Sequence, residues 1–292
     1  MSDTIELCGR QLANPVLNAS GTFDALAALR TFGERLRDRF PFAAYVSKTI
    51  TVARREGNPP PRLWEVPAGL INSIGLPNKG LEEFVVCDLP QLTELLPVPL
   101  IVSVMGRTAD ELCELVDALD GHGSVAMIEL NFSCPNVETG LVMGADPAEA
   151  GRAVERVRAA TGKPLIVKLS PNAPDPAAVA VAAAGAGADA LSLINTIKAS
   201  ALHPDTREPA LGARAGGLSG PAVRAIALEQ VGSVARAVAI PVIGMGGIAT
   251  GRDAADFLAV GARCVAVGTE SFRDAAAGRR IADELSTILK TS

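Results

Sequence analysis

Short aliphatic runs recur along the whole chain, and most of them end on a polar or glycine-rich cluster. Runs of this length that are rich in Val, Ile and Leu are typical of strands buried on both faces of a parallel sheet. Each polar cluster marks the point at which a strand leaves the sheet. The pattern predicts eight strands, at residues 15–18, 44–47, 100–104, 127–130, 165–167, 191–194, 241–243 and 264–267.

Most gaps between these runs show helical patterning, and Pro147, Pro176 and Pro221 stand at typical helix starts. The predicted helices cover residues 25–39, 109–119, 148–160, 177–186, 221–237, 252–260 and 275–289. This alternation of strand and helix predicts an α/β fold, a (β/α)8 TIM barrel that forms one domain over residues 1–292. A doubly wound sheet fits less well, because no GxGxxG motif follows the first strand.

Two stretches, 51–96 and 199–219, interrupt the alternation. Loops this long within a compact domain are usually functional, and in a barrel we expect them over the C-terminal mouth of the strands. Residues 5–11 are expected to form a small hairpin across the other end.

Composition and charge narrow the classes of function. Hydrophobic residues make up 48% of the 292 positions and aromatic residues only 3%, so the core is aliphatic. The net charge of −5, with scattered Lys and Arg, disfavours binding to nucleic acid or an anionic membrane. The five cysteines are widely spaced and form no CxxC, which predicts no disulfide framework, metal site or iron–sulfur cluster. We expect a soluble cytoplasmic protein without a signal peptide.

Polar residues concentrate where the predicted strands end, which in this fold is one face. Any one of them has a structural explanation, such as Lys168 in an ion pair or Asn195 as a helix cap. Together they favour a functional site at the mouth of the barrel. The set consists of Ser20, Lys48, Asn131, Cys134, Lys168, Asn195, Thr196, Gly246, Gly247, Gly268 and Thr269.

The last two strands predict a phosphate site. Gly246-Gly247 and Gly268-Thr269 follow strands seven and eight, where glycine lets backbone N–H groups approach phosphate oxygens. Thr250 or Asp253 would cap the helix that follows. The alternative is that the glycines serve only tight turns.

Three further kinds of residue indicate the chemistry of the ligand. Lys168 would stabilise an anion that forms when a flavin is reduced. The amides of Asn72, Asn131, Asn136 and Asn195 suit a planar heterocycle with alternating N–H and C=O groups. Cys134 stands between Ser and Pro, where an incidental thiol in a turn is an equal alternative. At this mouth, however, a thiol could take a proton from a substrate carbon.

The motifs, taken together and in order, resemble the class 1 dihydroorotate dehydrogenases over essentially the whole chain. They are Asn-Ala-Ser-Gly at 18–21, Ser-Lys-Thr at 47–49, Asn-Ser-Ile-Gly-Leu-Pro-Asn at 72–78, Glu-Leu-Asn-Phe-Ser-Cys-Pro-Asn at 129–136, Val-Lys-Leu-Ser-Pro at 167–171, Ile-Asn-Thr at 194–196, Gly-Gly-Leu-Ser-Gly-Pro at 216–221, Gly-Met-Gly-Gly at 244–247 and Val-Gly-Thr at 267–269.

The resemblance implies FMN as cofactor and oxidation of dihydroorotate to orotate in pyrimidine biosynthesis. Cys134 would remove the C5 proton while the C6 hydride passes to FMN, with Lys48 and Lys168 as further catalytic residues. The substrate would contact Lys48, Asn72, Ser73, Ile74, Gly75, Leu76, Asn131, Asn136, Asn195 and Thr196. FMN would contact Ser20, Gly21, Lys48, Thr49, Ser103, Asn131, Lys168, Ile194, Gly220, Gly246, Gly247, Gly268 and Thr269.

Residues 136–147 are similar to the NAD-linked 1B subclass. That likeness implies a homodimeric core and a partner subunit that carries FAD and a [2Fe–2S] cluster. Ser103 and Leu141 depart from the pattern, which usually has Asn and Gly there. A Cys as base, without a membrane-binding N-terminal extension, is unlike the quinone-linked class 2.

Other functions remain open from the sequence. The enzyme could be a fumarate-linked 1A-like dehydrogenase, or a flavin reductase acting on uracil-type bases or on uridines in tRNA. Two alternatives belong to other classes. One is a phosphate-binding barrel without redox chemistry, such as a lyase or synthase that acts on a sugar phosphate, and the other is a non-catalytic subunit of a complex.

Overall fold

The computed structural model describes residues 4–132 and 143–291. The strands are β1 (Ile5–Leu7), β2 (Arg10–Leu12), β3 (Val16–Asn18), β4 (Tyr45–Val46), β5 (Leu63–Val66), β6 (Gly69–Asn72), β7 (Leu100–Val104), β8 (Val125–Asn131), β9 (Leu165–Lys168), β10 (Ala190–Leu193), β11 (Ile197–Ala199), β12 (Gly216–Ser219), β13 (Val242–Met245) and β14 (Cys264–Val267). The α-helices are α1 (Ala25–Phe32), α2 (Arg35–Asp38), α3 (Leu81–Glu83), α4 (Leu89–Leu95), α5 (Ala109–Asp120), α6 (Pro147–Ala159), α7 (Pro176–Gly185), α8 (Arg224–Ala237), α9 (Gly251–Ala259) and α10 (Ala277–Thr291).

Eight strands form one parallel sheet in the order β3-β14-β13-β10-β9-β8-β7-β4, which confirms the predicted (β/α)8 barrel. Inward side chains such as Leu17, Met127 and Ile243 fill the lumen as one buried cluster. Outward side chains form a second cluster with the helices. The hairpin predicted near the N-terminus is present as β1 and β2, and its Leu7 and Leu12 join the lumen cluster from below.

The barrel closes between β3 and β4 through the side chain of Asn18. Its Nδ2 donates to the Val46 carbonyl at 2.7 Å, and its Oδ1 accepts from the Val46 N–H at 2.8 Å. The Asn18 amide therefore takes the place of a backbone peptide in the sheet, and it is fully buried. The N–H of Ala43 adds a bond to the Val16 carbonyl.

We expect Asn18→Leu to reduce the free energy of unfolding by about 2–4 kcal/mol, because two buried backbone groups of Val46 lose their partner. Urea unfolding measures the change. Asn14→Ala is the control, since Asn14 is only partly buried and its Oδ1 accepts one backbone hydrogen bond, from the Val16 N–H, where Asn18 makes two with Val46. A loss no larger than that of the control would contradict this role of Asn18.

The two long loops contain structure that the periodicity did not predict. Residues 81–95 form the second barrel helix as α3, a π-helical turn at Phe84–Asp88, and α4. Segments from both loops pair as an antiparallel sheet in the order β11-β12-β6-β5. Local patterning misses such a sheet because its partners, such as Asn72 and Gly217, are far apart in sequence.

The helix expected over 25–39 is interrupted at Gly33, which has a positive φ of 64° and ends α1. The other predicted helices begin and end within a few residues of their predicted bounds, and Pro221–Val223 is a 3-10 turn ahead of α8. Within the described ranges, no helix combines the length and apolar character that crossing a membrane requires.

Candidate active site

A cavity of about 350 Å³ lies where the strands of the barrel end, which is within the usual size of a small-molecule site. Strands β5, β6 and β12 form its opposite wall, so the long loops do cover the mouth, as expected. The structure brings most predicted site residues to this cavity: Ser20, Gly21, Lys48, Thr49, Asn72, Ile74, Gly75, Leu76, Asn131, Lys168, Ile194, Asn195, Thr196, Gly220, Gly246, Gly247, Gly268 and Thr269.

Two predicted contact residues lie behind the cavity wall. Ser73 is fully buried and accepts a hydrogen bond from Asn58 Nδ2 at 2.9 Å. Ser103 is also fully buried, and its hydroxyl is 3.0 Å from that of Thr49. Ser103 therefore supports the lining residue Thr49, whereas Ser73 is bonded to Asn58, which lies outside the lining. Cys134 and Asn136 lie outside the described residues.

A chain of hydroxyl groups fixes one side of the cavity. Ser20 Oγ donates to the Ser47 carbonyl at 2.8 Å and lies 3.1 Å from Thr49 Oγ1. Thr49 Oγ1 in turn accepts from Asn131 Nδ2 at 3.3 Å. These bonds connect the ends of β3, β4 and β8, so the Asn131 amide is held in one orientation.

Two lysines make the cavity electropositive. Lys168 ends β9 and is only 5% exposed, between the inward residues Asn131 of β8 and Ser192 of β10. Lys48 follows β4 and passes over Gly21, where an added Cβ would lie 3.0 Å from its Nζ. A cation buried against a cavity is well placed to stabilise negative charge on a ligand.

The loops after β13 and β14 border the opposite end of the cavity. Thr250 and Asp253 form a capping box at the start of α9, with Asp253 Oδ2 accepting from the Thr250 N–H at 2.9 Å. The predicted cap is therefore confirmed. Asp253 Oδ2 also accepts from the Ala249 N–H, so the first turn of α9 is rigid behind Gly246 and Gly247. A rigid glycine loop ahead of a helix N-terminus fits a phosphate group.

Several lining residues were missed from the sequence. Ser219 accepts from Thr269 Oγ1 at 2.8 Å, which joins β12 to the loop after β14. Asn172 does not line the cavity but supports a residue that does, because its Nδ2 donates to the Thr196 carbonyl at 3.1 Å. Phe272 and Arg273 border the cavity at the end of the 3-10 turn Thr269–Phe272. Ser219 could not be assigned to the cavity from the sequence, because its position depends on the pairing of the two long loops.

Cys8 and Cys264, two cysteines of the lumen, are unsuited to proton transfer. Burial raises the pKa of the Cys8 thiol to about 12, and the charge of Asp189 adds to the rise. Burial likewise raises the pKa of Cys264 to about 12. Both belong to the lumen cluster with the hairpin, away from the cavity. They remain protonated near neutral pH and are poor bases.

We expect Gly247→Ala to weaken the binding of FMN, the cofactor that the sequence resemblance implies, by on the order of tenfold or more, because misplaced N–H groups cost charged hydrogen bonds. Gly247 has a φ of 78°, and an added Cβ would lie 2.8 Å from the Gly220 carbonyl oxygen. Gly261→Ala is the control, with a φ of 109° and a Cβ 2.8 Å from that of Ala235, outside the cavity. Fluorescence titration of apoprotein with FMN should separate the two; equal affinities would contradict a phosphate at Gly247.

Comparison with known proteins agrees with this arrangement. The family described as dihydroorotate dehydrogenase matches residues 3–289. A protein of Desulforudis audaxviator named dihydroorotate dehydrogenase B (NAD(+)), catalytic subunit, is 47% identical over 289 residues, which are 98% of this chain and 92% of the relative. The protein of the same name from Geobacter sulfurreducens is 46% identical over 290 residues, with the same coverage. The chain therefore belongs to the dihydroorotate dehydrogenase family.

Proposed function

We propose that this chain is the FMN-dependent catalytic subunit of a class 1B dihydroorotate dehydrogenase, an oxidoreductase of pyrimidine biosynthesis. It would oxidise dihydroorotate to orotate and pass the electrons to NAD+ through a partner subunit. The observation that carries the proposal is one cavity that combines two lysines, three amides and two glycine loops. Family membership and the names of the relatives support it. The proposed setting is the cytoplasm, and the proposed core is a homodimer.

The described residues fit FMN. The glycine loops at Gly246-Gly247 and Gly268-Thr269 suit its phosphate, and the cavity is large enough for a flavin ring beside Lys168. Ser20, Thr49 and Asn131, already connected to one another, would hold the polar edge of the ring. FMN, when bound, supplies the two-electron acceptor for the hydride.

The substrate would lie against the amides. Asn72 donates to the Gly217 carbonyl at 3.2 Å, and Asn195 Oδ1 accepts from the Thr196 N–H at 2.8 Å, so both side chains are oriented by the backbone. Amides that offer both a donor and an acceptor match the N–H and C=O groups of the pyrimidine ring. Lys48 would pair with the negative charge of the substrate.

Oxidation of dihydroorotate removes a proton from C5 and a hydride from C6. We assign proton removal to Cys134, which the sequence places three residues after Asn131. A thiol with an ordinary pKa just above neutral can act as this base. Lys168 would stabilise the negative charge that accompanies hydride transfer.

The partner would be an electron-transfer subunit with FAD and a [2Fe–2S] cluster. The relatives' names end in "catalytic subunit" and specify NAD(+), which supports a second subunit and this acceptor. No part of this assignment depends on Ser103, which supports Thr49 from behind the wall.

The experiment is anaerobic reduction of the purified flavoprotein by dihydroorotate, followed by reoxidation with NAD+ or fumarate, each with and without the partner subunit. We expect bleaching of the flavin, and NAD+-dependent reoxidation only when the partner is present. Reoxidation by fumarate alone would assign a 1A-like enzyme. Reduction by dihydrouracil but not by dihydroorotate would assign a dihydropyrimidine-type reductase, and protein that cannot be reconstituted with FMN would overturn the flavin proposal.

A further inference from the structure

The lumen of the barrel contains a buried carboxyl group that the proposed function does not use. Glu129 is 2% exposed and stands two residues before Asn131 on β8, so both side chains point inward. Its Oε2 accepts a hydrogen bond from Ser192 Oγ at 3.0 Å. Its Oε1 is buried and accepts none from the described residues. A buried carboxylate of this kind is costly unless a positive charge lies near it.

Lys168 is the cation on the strand that Glu129 crosses. Ser192 on β10 is the register neighbour of Lys168 on β9, and Lys168 is in turn the neighbour of Asn131 on β8. The Glu129 carboxyl reaches from β8 to Ser192, so it passes over the lumen side of β9. The register neighbour of Glu129 there is Ile166, one inward position below Lys168. Glu129 therefore stands one inward position below Lys168 on the adjacent strand, and the two described side chains form no direct ion pair within 4.0 Å.

The second lysine of the cavity lies in the other direction. Lys48 follows β4, and β7 separates β4 from β8. The inward groups between them, Ser103 and Thr49, are hydrogen-bonded to each other. Glu129 instead bonds to Ser192, which lies away from β7. The Glu129 carboxyl thus lies toward the strand of Lys168 and away from that of Lys48.

We propose that Glu129 is the buried counter-charge of Lys168 and limits how strongly Lys168 attracts the negative charge of reduced FMN, an inference that rests on the proposed function. Glu129 lies below the cavity and does not line it, whereas Lys168 does, so Glu129 is a positioning residue that acts through Lys168. It gives the site a means of setting the flavin potential from below the cavity.

The first test is the midpoint potential of bound FMN. Glu129→Gln keeps the shape and the bond to Ser192 but removes the charge. We expect the affinity for reduced relative to oxidised FMN to rise on the order of tenfold, since one charge at this range in protein has that effect. For two electrons this is a rise in potential of about 30 mV. In a Lys168→Met background, adding Glu129→Gln should leave the potential at the value of the Lys168→Met variant. Ser192→Ala, which keeps the charge of Glu129, should shift the potential by less than Glu129→Gln does.

The second test is thermal unfolding of the apoprotein, which needs neither FMN nor substrate. Lys168→Met would leave Glu129 buried without the proposed counter-charge, so adding Glu129→Gln should raise the melting temperature by several degrees. In the matched cycle, the effects of Glu129→Gln and Lys48→Met on the melting temperature should be additive. Glu129→Met replaces the Gln variant in both tests if the latter does not fold.

Three results would each overturn the inference. The potential could be unchanged in Glu129→Gln, or it could shift equally in the wild-type and Lys168→Met backgrounds. The effects of Glu129→Gln and Lys168→Met on the melting temperature could also be additive. Coupling to Lys48 instead would do the same. Failure of the proposed function is distinguishable, because a protein that dihydroorotate does not reduce can still show the coupling between Glu129 and Lys168.

Discussion

Replacement of Cys134 by alanine is expected to slow the reduction of bound FMN by dihydroorotate about 10²- to 10⁴-fold, which is the usual contribution of a general base. FMN should remain bound, because the residues that line the cavity on the other loops are unchanged. The measurement is stopped-flow bleaching of the flavin under anaerobic conditions. The wild-type rate should rise with pH as the thiol ionises, and this dependence should disappear in the variant.

Cys87→Ala is the matched control for Cys134→Ala. Cys87 is exposed on the π-helical turn, away from the cavity, and its loss should leave the bleaching rate unchanged. Cys8 and Cys264 cannot substitute for Cys134, because burial holds both of their pKa values near 12. A Cys134→Ala protein that bleaches at the wild-type rate would remove Cys134 from the role of base.

The barrel could be predicted from the sequence because its strands and all of its helices except the one at 81–95 show local patterning. Buried strands such as β7 and β14 are continuous aliphatic runs, and their predicted bounds match the structure. The sheet over the mouth could not be predicted, since Asn72 of β6 and its partner Gly217 of β12 are 145 positions apart in sequence. Closure by Asn18 was also missed, because an amide at a strand end gives no sign that it completes a sheet.

The candidate site was predictable for a different reason. Strand ends of a parallel barrel converge whatever their spacing along the chain, so polar residues at those ends could be assigned to one cavity. The rule has one limit. It could not distinguish residues that face the cavity from Ser103, which is buried within β7. Whether a side chain faces the cavity depends on its depth along the lumen, and the register between strands sets that depth. Glu129 lies below the mouth for the same reason.

Lys168→Met is expected to slow flavin reduction about 10²- to 10³-fold and to lower the midpoint potential of FMN, since one fixed charge that stabilises the developing anion is lost. FMN should still bind, because its phosphate would be held by the glycine loops at the other end of the cavity. Stopped-flow bleaching gives the rate, and equilibrium titration with a reference dye gives the potential.

Lys163, just before β9, is a matched control for Lys168, at the end of the same strand. Lys163 precedes β9 at the opposite end of the barrel, where its Nζ donates to the carbonyls of His122 and Val125 at 2.9 and 3.0 Å. Lys163→Met should reduce the free energy of unfolding by about 2 kcal/mol, because two charged hydrogen bonds are lost. It should leave the rate of bleaching unchanged, since residues at the amino-terminal end of a barrel strand serve stability and those at the carboxyl end serve chemistry. If both variants slowed bleaching equally, Lys168 would have only a structural role.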